Sequence, residues 1–229
     1  MEYPKEWVDR LNRPGDLLRV GGVPVECRTV PDGPAGALDP RALRRLENGT
    51  PWDPAMSLED ERDAMGGFNY NLNRKEIWTR YLLVPTSRGD VPVWCHYPRR
   101  MGAARPALVY VHGGGFFGGS VYAVENQCRL IAERADCVVW NVDYSLAPAD
   151  PYPTACTQVY EVARYLHRHA ARYGASPDKI TVAGDSAGGN LAAVAAQMDR
   201  DRGTGCVAGQ VLIYAKLTFL AHGLPGYAW

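Results

Sequence analysis

Apolar and polar positions change rhythm near residue 76 of this chain. Before that point apolar residues are scattered among Pro, Gly and Arg, and only short stretches such as "DPRALRRLENG" (39–49) and "SLEDERDAM" (57–65) carry helical spacing between breakers. Beyond it, apolar runs of strand length alternate with longer stripes at three- and four-residue spacing, the mark of an α/β sheet. Strands are predicted at 76–84 and 91–97, paired across the turn "TSRGD", and again at 106–112, 137–144, 180–184 and 209–215. Helices are predicted near 123–135, with Val124, Cys128, Ile131 and Ala132 inward, at 155–173, with Val159, Val162, Ala163, Leu166, Ala170 and Tyr173 on one stripe, and at 187–200. Gly174 suits the C′ position of the second. The organisation expected is a helical, loop-rich cap or lid over 1–75 and an α/β core over 76–229.

Two glycine-rich segments interrupt this pattern at strand ends. "VHGGGFFGGS" (111–120) bares backbone amides directly after an apolar run, and two anions suit such a loop. Gly113, Gly115 and Gly118 fit G-x-G-x-x-G, in which amides and a helix N-terminus hold a pyrophosphate, and Asp143 lies 25 residues past Gly118, near the place of a ribose-binding acid. The loop equally suits the oxyanion formed when an ester carbonyl is attacked. "FFGGS" delays the helix past the glycines, which counts against the nucleotide.

"GDSAGGN" (184–190) lies between a buried strand and an alanine-rich helix and matches G-x-S-x-G, the sharp turn that lifts a serine above a sheet. Gly184 and Gly188 permit the close approach of strand and helix that this turn demands. Ser186 then stands at a helix N-terminus, where the dipole and the amide of Ala187 favour developing negative charge. A nucleophile explains both segments together, whereas a nucleotide leaves the second unexplained.

Three segments in order, "HGGGFFGGS" (112–120), "VDYSLAPADPYPTA" (142–155) and "GDSAGGN" (184–190), resemble the hormone-sensitive-lipase-like esterases, the GDXG or alpha/beta hydrolase fold-3 group. The likeness runs over roughly residues 76–215. It implies an α/β-hydrolase fold, a mostly parallel sheet with flanking helices under a helical N-terminal cap. It also implies hydrolysis of short or medium acyl carboxylic esters, a small-molecule substrate, and no cofactor or metal. By the same resemblance Ser186 is the nucleophile, the amides of Gly114, Gly115 and Ala187 form the oxyanion hole, and His112 with Gly113 braces the glycine loop. Asp185, next to Ser186, is expected to point elsewhere and stabilise the turn. Phe116 and Phe117 line either the acyl pocket or plain core. The group usually carries Arg and Glu where this chain has Ser145 and Ala149, which removes any salt bridge expected at that corner.

An acyl-transfer serine needs a histidine to take its proton and a carboxylate to orient that histidine, and in this fold both follow the serine. The 43 residues after Ser186 offer Asp199, Asp201 and His222, with both aspartates at the far end of the helix that Ser186 begins. The family's acid and histidine follow two further strands for which no pattern is found. The expectation is therefore a C-terminally shortened fold lacking its last strands, weak or inactive as an esterase, with His222 the leading base should turnover occur. A non-catalytic small-molecule-binding protein of the same fold, resembling plant gibberellin receptors, is the alternative, and a dinucleotide-binding protein ranks third.

Composition adds exclusions. Lys plus Arg and Asp plus Glu both total 25, so no net basic charge marks the chain for nucleic acid. No stretch reaches the ~18 apolar residues of a membrane span and the N-terminus lacks a signal pattern, so a cytoplasmic, soluble chain is expected. Six cysteines, at 27, 95, 128, 137, 156 and 206, form no C-x-x-C and suggest neither zinc nor a redox pair.

Overall fold

The computed structural model describes residues 16–20, 23–27, 55–65, 69–98 and 104–218. The chain divides into two compact units, Met1–Asp53 and Pro54–Trp229. In the first, β1 (Asp16–Val20) and β2 (Val23–Cys27) pair antiparallel, with Val20 opposite Val23. An antiparallel strand pair thus stands inside a stretch expected to be helical and loop-rich. The missed signal is the Gly21-Gly22 pair between two short apolar runs, the composition of a two-residue hairpin turn. The helical pattern at 39–49 lies outside the described residues.

The second unit opens with α1 (Leu58–Ala64), which Ser57 caps by accepting from the Asp60 amide at 3.1 Å. Then follow β3 (Trp78–Val84), β4 (Val91–Tyr97), β5 (Arg105–Val111), α2 (Val121–Ala135), β6 (Val138–Val142), α3 (Thr154–Arg168), β7 (Ala175–Asp185), α4 (Ser186–Arg202) and β8 (Gly209–Ile213). The six strands lie in the order β3-β4-β6-β5-β7-β8. β4 runs antiparallel to both its neighbours, and the pairings from β6 to β8 are parallel. Parallel strands covered on both faces read as continuous apolar runs, and every residue of β6 is buried.

Alternation along the strands decides which helix covers which face. Tyr110, Val139 and Ala183 meet Val124, Cys128 and Ala132 of α2. Val109, Trp140 and Val182 face the other way, into the larger core with Val159, Leu166 and Leu191 of α3 and α4. Burying Leu166 completely contributes about 2 kcal/mol. The helix expected over 155–173 stops at Arg168, because the His169 amide is shared between the Tyr165 and Leu166 carbonyls and tightens the next turn, Ala170–Tyr173, into a 3-10 helix. Gly174, at φ 64, ends it as expected.

Side-chain hydrogen bonds tie both the segment before the sheet and the sheet's first strands to α2. Glu133 accepts from Asn73 Nδ2 at 2.9 Å and from the amides of Arg74 and Lys75 at 2.8 and 3.2 Å. On the same flank His96 is wholly buried on β4, with Nδ1 3.0 Å from Thr79 Oγ1, which accepts in turn from Arg129 at 2.8 Å. Burial, followed by the Arg129 charge, lowers the His96 pKa to about 4, so the ring is neutral near pH 7. Among the described residues no helix is long and apolar enough to cross a membrane.

Candidate active site

β7 becomes α4 with no loop between them, and the residue at the junction is Ser186. Its φ of 51° lies in the left-handed region, a conformation that costs a non-glycine residue about 1–3 kcal/mol and persists only where the surroundings enforce it. Glycines supply the enforcement. A Cβ on Gly184 would stand 2.5 Å from the carbonyl oxygens of both Gly188 and Val111, and one on Gly188 would stand 2.5 Å from that of His112. Strand, turn and helix backbones thus touch with no room for a methyl group.

The glycine loop follows β5 and approaches the same junction. Gly114 and Gly115 take φ of 124° and 62°, and Phe116, without glycine's freedom, takes 71°. The turn closes on itself through Phe117 and Gly118 amides donating to the Gly114 carbonyl at 3.2 and 2.8 Å. A Cβ on Gly113 would meet that of Ser186 at 3.2 Å, which places this loop directly against the serine. The amides of Gly114 and Gly115 meet no acceptor among the described residues, and Ala187 sits in the first turn of α4, where amides have no partner within the helix. α2 begins only at Val121, capped by Ser120, so these glycines do not open a helix as a pyrophosphate loop requires.

Asp185 turns away from the serine and into the loop. Its Oδ1 accepts from Tyr110 Oη at 3.0 Å and from the Gly113 amide at 3.1 Å, while Gln127 donates to Tyr110 Oη at 3.1 Å. Burial, then the Asp185 charge, push the Tyr110 phenol far up, so it stays a donor. His112 is also buried, with Nδ1 2.8 Å from the Gly113 carbonyl and its ring stacked on Tyr144 at 4.4 Å between centroids. Burial lowers its pKa, against the Gly113 hydrogen bond and the Asp143 and Asp185 charges. Tyr144 Oη donates to the His112 carbonyl at 3.0 Å. Neither Asp185 nor His112 is hydrogen-bonded to Ser186 Oγ.

A cavity of about 420 Å3 is walled by Phe116 of the glycine loop, Ala147, Pro153, Cys156, Leu191 and Val194, and by Asn190, one helical turn from Ser186. Phe117 is not among its lining residues. The corner at Ser145 is held without the ion pair that the chain lacks. The buried Gln158 accepts from the Ser145 amide at 2.8 Å and donates to Ser145 Oγ and to the Arg88 carbonyl, both at 3.0 Å. A second cavity of about 400 Å3, between α4 and β8, includes Gln197, Arg200 and Leu212 and shares Asn190 and Val194 with the first.

The remaining residues of the sequence reading fall elsewhere. Asp199 is buried at the far end of α4, accepting from Thr204 Oγ1 at 2.5 Å and the Cys206 amide at 2.9 Å, while Asp201 pairs with Arg200. His222 lies outside the described residues. Cys95, Cys128, Cys137, Cys156 and Cys206 are buried and unpaired, and among the described residues no three His, Cys, Asp or Glu side chains gather as a metal site. Tyr110, Tyr144, Gln158 and Arg62 escaped the sequence reading, because each acts on a residue more than ten positions away.

The alpha/beta hydrolase fold family model matches residues 108–224. The esterase LipI of Mycobacterium tuberculosis is 42% identical over 198 residues, 84% of this chain and 61% of its own length. The carboxylic ester hydrolase LipN of the same organism is 39% identical over 146 residues, 62% of this chain and 39% of its own. Among solved structures, a bacterial heroin esterase superposes with a TM-score of 0.70 at 32% identity, covering 76% of this chain and 57% of that one. A hyperthermophilic esterase from Pyrobaculum calidifontis gives 0.59 at 43% identity, covering 60% and 45%. The chain thus spans between 39% and 61% of the length of these two curated relatives. With a mostly parallel sheet, flanking helices and the family match in agreement, the chain belongs to the alpha/beta hydrolase fold family, in its hormone-sensitive-lipase-like esterase group.

Proposed function

We propose that this chain carries the nucleophilic half of a carboxylic ester hydrolase. Ser186 Oγ attacks the ester carbonyl, and the amides of Gly114, Gly115 and Ala187 receive the oxyanion. The observation that carries this reading is the closeness of Gly113 to Ser186, since the Gly114 and Gly115 amides that follow it meet no acceptor among the described residues and the serine is held at φ 51°. The short or medium acyl chain enters the apolar cavity of about 420 Å3. LipI and LipN, named as an esterase and a carboxylic ester hydrolase, support the same reaction class.

Deprotonating the serine requires a base, and His222, the candidate offered by the sequence, lies outside the described residues. Among the described residues no histidine is hydrogen-bonded to Ser186, and the buried His112 is committed to its own loop. A serine without a base turns over more slowly by orders of magnitude, while the oxyanion hole retains part of the acceleration. Hydrolysis of p-nitrophenyl butyrate and labelling of Ser186 by a fluorophosphonate are expected, both abolished in Ser186→Ala. Labelling elsewhere, or turnover unchanged in Ser186→Ala, would overturn the assignment. Saturable ester binding with neither turnover nor labelling would favour a non-catalytic binding protein of this fold.

A further inference from the structure

α1 buries none of its own residues, yet one of its side chains reaches both the glycine loop and the Ala147 corner of the cavity. Arg62 Nε donates to the Phe117 carbonyl at 2.5 Å, and Nη2 donates to the Ala147 carbonyl at 2.9 Å. Phe117 belongs to the glycine loop and Ala147 to the corner after β6, and the Ala147 amide donates to the Phe116 carbonyl at 3.0 Å. The guanidinium therefore closes a ring of hydrogen bonds through Phe117, Phe116 and Ala147. One residue beyond α1, Met65 sets its Sδ where a Cβ on Gly118 would be 2.5 Å away.

We propose that Arg62 is a positioning residue of the site, holding the glycine loop and the Phe116 wall in their working geometry. The proposal rests on the esterase reading above. Phe116 sits at φ 71° without glycine's freedom, and such a conformation survives only when its neighbours over-determine it. The ring fixes Phe116 from both sides. Because the Phe117 and Gly118 amides donate to the Gly114 carbonyl, a displacement at Phe117 carries directly to the amides of Gly114 and Gly115. Two diverging carbonyls also require the fixed fork of a guanidinium, which a single ammonium does not supply.

The test uses full-length Arg62→Lys and Arg62→Met, read by hydrogen exchange, by fluorophosphonate labelling of Ser186 and by hydrolysis of p-nitrophenyl acetate and hexanoate. Exchange is expected to rise over 112–120 and 144–150 while β5 and β7 keep their protection. Labelling is expected to slow about 10- to 100-fold, the scale of a small misplacement of catalytic groups, and discrimination between the two esters to weaken. Ethylguanidine added to Arg62→Ala is expected to recover part of the labelling. Unchanged exchange in both segments would overturn the proposal, as would a uniform rise across the sheet or labelling unaffected by a loosened loop. Should the parent chain itself escape labelling at Ser186 while exchange still rises in these two segments alone, the esterase reading fails and the clamp stands.

Discussion

Asp185 Oδ1 lies 3.1 Å from the Gly113 amide, so the residue just before the serine holds the loop that must answer it. The same oxygen takes the Tyr110 phenol at 3.0 Å. Elbow and loop are thereby one rigid piece, joined across 72 positions of sequence. Asp185→Ala leaves a buried phenol and a backbone amide without an acceptor and is expected to lower unfolding free energy by about 2–4 kcal/mol. Asp185→Asn keeps one acceptor oxygen and should cost less. Urea denaturation of the two variants checks the order.

Ser186→Gly relieves a backbone conformation that serine adopts only under constraint. The variant is expected to be unreactive toward fluorophosphonate yet about 1 kcal/mol more stable than the parent, within the strain such positions store. A lower urea midpoint in Ser186→Gly would show that the turn is not strained.

Gly188 and Gly203 give a paired contrast. Nothing lies within 4 Å of a Cβ on Gly203, whose φ is 60°, whereas one on Gly188 runs into the Val111 and His112 carbonyls. Gly203→Ala is expected to cost about 1 kcal/mol from backbone strain alone. Gly188→Ala is expected to cost more than about 3 kcal/mol, or to yield no soluble protein, because neither strand nor helix can retreat. Thermal melts compare them directly.

His96 sets an acid limit on stability. Its folded pKa of about 4 lies below the ordinary value of 6.5, so the folded chain binds fewer protons than the unfolded one between those values. The stabilisation is complete above pH 6.5 and is lost as the pH falls toward 4, by about 3 kcal/mol in all. His112, also lowered by burial, acts in the same direction. His96→Asn, which keeps an acceptor for Thr79, is expected to flatten this part of the stability curve. Equal slopes for parent and variant between pH 6.5 and 4 would remove His96 from the account.

Gln158→Leu tests the corner at Ser145. It strands the Ser145 amide, the Ser145 hydroxyl and the Arg88 carbonyl, and should destabilise by about 2–3 kcal/mol. A Gln158→Glu variant, which restores only the acceptor, is expected to recover part of that loss in the same denaturation assay.

The period-based reading found the sheet and its helices because burial on both faces imposes long apolar runs, as in β6, where no residue is exposed. It also put Ser186 and its flanking glycines at a strand-to-helix junction, since only certain residue types fit one without a loop. It missed β1 and β2, whose Gly-Gly turn was hidden in a region rich in breakers. Cross-chain ties such as Arg62 to Ala147, 85 positions apart, obey no periodicity. Ser145 drew notice for a lost charge, but that an uncharged Gln158 holds this corner follows only from α3 and two loops meeting in space.

The direct passage of β7 into α4 at Ser186 has an engineering corollary. With no loop to lengthen, the Ser186 hydroxyl is surveyed in by the sheet itself, like a benchmark set in bedrock. On the esterase reading proposed above, substrate range is to be redesigned in the masonry around it, at Ala147, Cys156 and Val194, where side chains line the cavity and the sheet's register is not at stake.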